Sequence, residues 1–232
     1  MDNTTPVQHL FFDMDNTLTR SRSKIMEDMK DLLALLPHDI VVTSGARFEQ
    51  ICFQMDDLPC YILAQNGNHA MHGSEELWRD LLAPDEVSEI MAHIASLAHN
   101  MEVPDPHDLI ENRGSQISYS VYGHHAPVEV KERVDPDQRI RAALLTANPL
   151  VSETIEVKIA GTTCLDYFRK GRNKGYNVAR LCSLKGWEKT SCLYFGDALF
   201  PGGNDETVIG IIPTQSVTNP RDTYERLLAL RS

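Results

Sequence analysis

The sequence predicts an α/β chain, a doubly wound parallel sheet interrupted by an inserted α+β cap. Two observations carry this. Short apolar runs at 10–13, 39–44, 61–64 and 191–195 are bounded by turn residues and separated by stretches of helical spacing. Such runs read as parallel strands buried on both faces, in strand–helix alternation. Past Pro84 the pattern changes, and 116–122 and 154–159 alternate apolar and polar residues, as strands with one solvated face do. The expected organisation is a core at 1–83 and 165–232 with the cap at 84–164.

The first strand, Leu10-Phe11-Phe12, stops at Asp13 and Asp15, with Thr17 and Thr19 on a polar turn. Ile25, Met26, Met29, Leu32, Leu33 and Leu36 then fall near helical spacing, so 21–36 is predicted helical, and Pro37 ends it. The second strand, 39–44, runs through Ser44 into Gly45-Ala46-Arg47 and a helix over 48–55. A third strand, 61–64, leads to the turn dipeptide Asn66-Gly67. In the insert, Val87, Ile90, Met91, Ile94 and Leu97 share one face of a helix over 85–99, the proline-bearing 101–107 is a loop, and 135–147 is a second helix. The parallel pattern returns with a helix over 174–184, a strand over 191–195 ending in Gly196-Asp197, and a closing helix over 222–230.

The chain has 232 residues, 42% hydrophobic, enough for a full core, and a formal net charge of −11. An acidic chain lacks the basic footprint of a nucleic-acid binder. Its five cysteines, Cys52, Cys60, Cys164, Cys182 and Cys192, are odd in number and without CxxC spacing, which suits reduced thiols in a cytosol. The start MDNTTPVQHL shows no secretory leader, and no run approaches the roughly 20 apolar residues of a membrane span. A cytoplasmic protein without membrane partners is expected.

Two carboxylates one residue apart at the end of an apolar strand repel each other unless a cation lies between them. Mg²⁺ meets that need with an octahedral shell of hard oxygen ligands. With a phosphate ester present, one carboxylate can attack phosphorus. The other can protonate the leaving oxygen and later take a proton from water. Asp, Asn and Thr are also ordinary turn residues, so the pair alone is equally a capped strand end. Ser44, on the next strand, has two readings as well: a phosphate hydrogen bond beside a helix N-terminus, or a helix N-cap. Lys174, at a predicted helix start, can neutralise charge building on a phosphoryl group, or be a solvated lysine. His69-x-x-His72 and His124-His125 lie in polar, loop-like stretches and read as surface histidines rather than metal ligands.

The run LFFDMDNTLT resembles the first motif of the haloacid dehalogenase superfamily. Ser44, Lys174 and the segment FGDALFPGGND fall where that superfamily carries its remaining motifs. The resemblance implies Asp13 as nucleophile and Asp15 as acid/base, with Ser44 and Lys174 holding the phosphoryl oxygens. It also implies Mg²⁺ held by Asp13, the backbone carbonyl of Asp15, and Asp197, with Asp205 on metal-bound water or on Lys174. Over most of its length the chain is similar to eukaryotic-type phosphomannomutases, the branch with a C2-type α/β cap. That similarity implies Arg22 as a substrate contact, Arg113 as a cap arginine for a distal phosphate, Asp166 as a sugar-hydroxyl ligand, and a homodimer through the cap.

Several positions depart from that branch. His124 and Lys131 stand where the mutases have arginines, Cys164 replaces a serine, and Asn16 replaces the usual glycine of DxDGT. Arginine forks match phosphate bidentately, and lysine or histidine does so less well. A looser grip on a bisphosphate makes water the expected acceptor. The expectation is therefore a Mg²⁺-dependent phosphatase acting on a phosphorylated sugar or similar small metabolite. A sugar-phosphate mutase is the first rival, and a non-catalytic phosphate-binding regulator the second.

Overall fold

A computed structural model describes residues 6–97 and 101–230. Residues 1–79 with 172–232 form one compact unit, and residues 80–171 form another. In chain order the first unit begins with β1 (His9–Asp13), α1 (Glu27–Leu35), β2 (Asp39–Thr43), α2 (Phe48–Gln54), β3 (Tyr61–Ala64), β4 (His69–His72) and β5 (Glu75–Arg79). The second unit holds α3 (Pro84–Ser96), β6 (Ile110–Asn112), β7 (Ile117–Ser120), α4 (Val128–Val134), α5 (Arg139–Ala147), β8 (Ile155–Ala160) and β9 (Cys164–Arg169). The chain then completes the first unit with α6 (Lys174–Lys185), β10 (Cys192–Gly196), β11 (Thr214–Ser216) and α7 (Pro220–Leu230).

The core sheet runs β11-β10-β1-β2-β3-β4-β5. From β11 to β3 its neighbours are parallel, and β4 and β5 add an antiparallel hairpin at one edge. β1 is the third of the seven strands, pairing Phe12 with Phe195 on one side and Val42 on the other. Alternate side chains feed two hydrophobic layers. Leu10, Phe12, Val42 and Phe195 pack with Met29, Leu33, Ile51 and Leu227 from α1, α2 and α7. Phe11, Val41, Leu63 and Tyr194 pack with Val178, Leu181 and Cys182 of α6. Burial of each Phe side chain contributes on the order of 1.5–3 kcal/mol. The sheet is covered on both faces, as its continuous apolar strands predict.

The chain's two tryptophans are both in this unit. Trp187 stacks on His9 with 4.0 Å between ring centroids and meets Tyr61 edge-on at 5.3 Å. The Trp78 indole N–H donates to the Gly67 carbonyl at 2.7 Å.

Several expectations need correction. The predicted helix over 21–36 begins only at Glu27, because the Ile25 N–H is taken by the Gln54 carbonyl. His69 and His72 lie on β4 rather than in a loop: His69 is buried, and the His72 ring stacks on Tyr61 at 3.9 Å. The end of the helix expected over 85–99, beyond residue 97, lies outside the described residues, as do residues 1–5 of the expected leaderless start.

The chain re-enters the core near residue 171 rather than 164. Strand β9, which the expected boundary assigned to the core, is the antiparallel partner of β8 across a turn at Gly161.

The second unit is built on a sheet ordered β6-β7-β9-β8. Ile117, Tyr119, Leu165 and Tyr167 supply its apolar face, packed against Ile90 and Ile94 of α3. Pro84 opens α3, and the Glu86 carboxylate reaches back to the Ala83 N–H at 2.6 Å, half of a capping box. The alternating strand around 116–122 predicts a solvated polar face, but Gln116, Ser118 and Ser120 are fully buried. The stretch after β7 is tied to this face: His124 Nε2 donates to the Ser118 carbonyl at 3.1 Å, and Lys131 Nζ to the His124 carbonyl at 3.0 Å. His124, expected at the surface, has 0% exposure. His125 beside it is exposed.

Candidate active site

The carboxyl ends of β1, β2 and β10 carry the side chains expected to act. Asp13 closes β1, Ser44 follows β2, and Asp197 follows β10. Lys174 is the first residue of α6, whose N-cap Asn173 accepts from the Tyr176 N–H at 3.0 Å. Its side chain is buried, and Nζ donates to Asp13 Oδ1 at 2.5 Å and to Asp205 Oδ1 at 2.7 Å. Burial disfavours its charge, but Asp13 and Asp205 outweigh burial and hold its pKa above the ordinary lysine value.

Asp205 is fixed by more than Lys174. The Tyr194 hydroxyl donates to its Oδ1 at 2.6 Å and the Ala198 N–H to its Oδ2 at 3.3 Å. A side chain at Gly196 would put Cβ 2.5 Å from Asp205 Oδ2, so this strand end admits only glycine. Asp197 accepts from the Asn16 side chain. Asn16 has φ 63°, a left-handed backbone that Asn tolerates better than other side-chain-bearing residues, which accounts for Asn where glycine is usual.

Asp13, Asp197 and Asp205 offer carboxylate oxygens within 4.8 Å of one another. Burial first, opposed by Lys174 and reinforced by Asp205 and Asp197, pushes the Asp13 carboxyl well above its ordinary pKa. Asp197 is raised too, by burial and by Asp205. One ammonium group faces three carboxylates.

The pattern of the haloacid dehalogenase-like hydrolases matches residues 10–205. The chain belongs to that family. It is an enzyme, a phosphohydrolase or a phosphomutase. Among curated relatives of this haloacid dehalogenase-like chain, a phosphomannomutase of Spinacia oleracea is 25% identical over 235 residues, covering 93% of this chain and 92% of the relative. Among solved structures, an IMP-nucleotidase of Plasmodium falciparum aligns with TM-score 0.68 and 18% identity over 97% of this chain and 68% of that one. A protein of Streptococcus mutans UA159 aligns with TM-score 0.71 and 14% identity over 97% of this chain and 100% of that one. At such identities the structural likeness speaks for the fold.

A family of this kind generally uses Mg²⁺, and the donor set fits it: an all-oxygen cluster with more negative charge than Lys174 balances. Both oxygens of Asp205 are already engaged, Oδ1 by Lys174 and Tyr194 and Oδ2 by the Ala198 N–H, which makes it the less available of the three carboxylates.

The remaining expected residues fall into three places. Asp15 and Arg22 are neighbours: the Arg22 N–H donates to Asp15 Oδ1 at 3.0 Å, from a left-handed φ of 54°. Ser44 is buried, and its Oγ accepts from the Ala46 N–H at 3.1 Å. It is not a helix cap, since the N-cap of α2 is Arg47, three residues later, and the bond leaves its own hydroxyl proton for another acceptor. Arg113 and Asp166 lie in the second unit. Arg113 Nε and Nη2 both donate to Glu111 Oε2, at 3.0 and 2.8 Å. Asp166 accepts from Ser118 Oγ at 2.6 Å. Glu111, Ser118 and Asp166 are in register across β6, β7 and β9. Burial disfavours the charge of Arg113, but Asp166 and Glu111 raise its pKa.

Sequence reasoning missed Tyr194 and Gln54. Tyr194 reads as one more apolar residue of its strand. Gln54 had a faint signal, an amide four residues after Gln50 on an otherwise apolar helix face.

Proposed function

We propose that the protein is a Mg²⁺-dependent phosphatase of a phosphorylated sugar or similar small metabolite, working through an aspartyl-phosphate on Asp13. The observation that carries this reading is the buried Asp13–Lys174–Asp205 chain with Asp197 beside it. Asp13 attacks phosphorus in line, the new Asp13–phosphorus bond forms, and the ester P–O bond breaks with its electron pair on the leaving oxygen. Asp15 gives that oxygen a proton. Asp15 then takes a proton from water, which attacks the phosphoryl group and frees Asp13. Ser44 and the charged Lys174 hold the phosphoryl oxygens as negative charge builds. Asp13, the Asp15 carbonyl and Asp197 would hold Mg²⁺, which would supply neutralisation of the charge on the transferring group. Arg22, Arg113 and Asp166 are proposed substrate contacts.

Hydrolysis is favoured over isomerisation by the state of the cap's cations. A mutase must grip a bisphosphate by either end and so needs a second set of available cations. Here Lys131 is committed to the His124 carbonyl, and His124 is wholly buried. The mutase reading is supported by the phosphomannomutase relatives, which match across more than nine-tenths of this chain. Incubation with mannose 1-phosphate, with and without a sugar bisphosphate, separates the two. Free phosphate exceeding mannose 6-phosphate supports hydrolysis; bisphosphate-dependent isomerisation outrunning phosphate release overturns it. In either case Asp13→Asn is expected to cost about 10⁴-fold or more in kcat with an unchanged far-ultraviolet spectrum.

A further inference from the structure

The geometry points to Gln54 as a positioning residue that fixes which oxygen of Asp15 handles the proton. Gln54 ends α2 and is 1% exposed. Its Nε2 lies 3.2 Å from Asp15 Oδ1, 3.2 Å from Thr19 Oγ1 and 3.3 Å from the Ser23 carbonyl. A carboxylate and a carbonyl oxygen can only accept, so the amide's NH₂ end must face them. The opposite end agrees: Oε1 accepts from Gln50 Nε2 at 3.0 Å, one helical turn earlier. The orientation of the Gln54 amide is therefore set from both ends.

Asp15 Oδ1 receives a second donor, the Arg22 N–H at 3.0 Å. Both donors converge on the same oxygen. With Oδ1 turned toward its two donors, Oδ2 is the oxygen left to present for proton transfer. In the first phosphoryl transfer the Oδ2–H bond breaks as the ester P–O bond does. The proton joins the leaving oxygen, which departs as the neutral alcohol, and Asp15 is left ionised. Without Gln54 one of the two donors that hold Oδ1 is gone, so the carboxyl group turns more easily about its Cβ–Cγ bond and presents the wrong oxygen.

This inference rests on the acid/base assignment of Asp15, and the experiment separates the two. A purely structural role for Gln54 would slow all substrates alike. A role in acid catalysis matters only when the leaving group needs a proton. We would measure kcat/KM, which reports the first phosphoryl transfer, for 2,4-dinitrophenyl, phenyl and alkyl phosphates with wild type, Gln54→Leu, Gln50→Ala and Asp15→Asn. General acid catalysis is worth about 10²–10⁴-fold, so Gln54→Leu should lose about 10–100-fold on alkyl and phenyl phosphate and less than about threefold on the dinitrophenyl ester. Gln50→Ala, which removes only the amide that orients Gln54, should show the same leaving-group trend at a few-fold amplitude, and it serves if Gln54→Leu folds poorly. Asp15→Asn should show the steepest trend. A uniform loss, or none, in the glutamine variants beside a steep Asp15→Asn trend overturns the positioning role alone. No leaving-group trend in Asp15→Asn overturns the acid/base assignment, and this inference with it.

Discussion

Two buried carboxylates hold Lys174 at hydrogen-bond distance. Removing one partner of a buried ion pair leaves an uncompensated charge, a cost of about 3–5 kcal/mol. Lys174→Met should therefore lower the unfolding free energy from urea melts by about 3–5 kcal/mol at neutral pH, and added Mg²⁺ should recover part of the loss; an unchanged free energy would show that the buried pair is not charged. At this scale the strand ends bearing Asp13, Ser44 and Asp197 are legible in the sequence, because each interrupts an apolar run with a polar residue. Gln54 is not. Its meaning depends on Asp15, 39 residues away, and no local pattern announces a hydrogen bond across that separation. His124 misleads for a related reason: a polar stretch reads as surface, yet a Ser118 carbonyl is there to satisfy the ring inside.

Among the elements, α6 positions Lys174 by close approach rather than by its cap alone. Gly175 donates its N–H to Thr207 Oγ1 at 3.1 Å, and a Cβ there would sit 1.9 Å from the Thr207 carbonyl oxygen. Gly175→Ala must push the start of α6 outward. A displacement near 1 Å at the chemistry costs up to about 10²-fold, so kcat should fall about 10–100-fold. Overpacking should cost about 1–3 kcal/mol. Steady-state kinetics with urea melts checks both, and wild-type kcat in this variant would show that the helix start has room. The same scale explains what the sequence hid. β4 and β5 carry His69, His72 and Arg79, too polar for a buried parallel strand, and only pairing to the edge of β3 makes them sheet. No strand is expected at β9, whose apolar residues are broken by Asp166 and Arg169, so the expected boundary falls inside it. Its hairpin partner β8 decides where it belongs.

For the molecule as a whole, the predicted fold class holds: a doubly wound sheet interrupted by an α+β insert. No helix among the described residues is long and apolar enough to cross a membrane. The carboxylate cluster is a point of electrostatic stress in an already acidic chain, so a divalent cation should stabilise the whole fold. At 100 times its dissociation constant a ligand adds about 2.7 kcal/mol, which for a chain of this length is about 5–10 °C in Tm. Mg²⁺ should produce that rise, EDTA should reverse it, and Asp197→Asn should abolish most of it; a Tm indifferent to Mg²⁺ in wild type would leave the cluster without its proposed ion. Both indole rings lie outside residues 80–171. Emission excited near 295 nm is therefore blind to the insert. An insert that melted by itself would darken a circular dichroism trace while the fluorescence stayed flat, so comparing the two optical channels reads out whether this chain loses its order in one step or two.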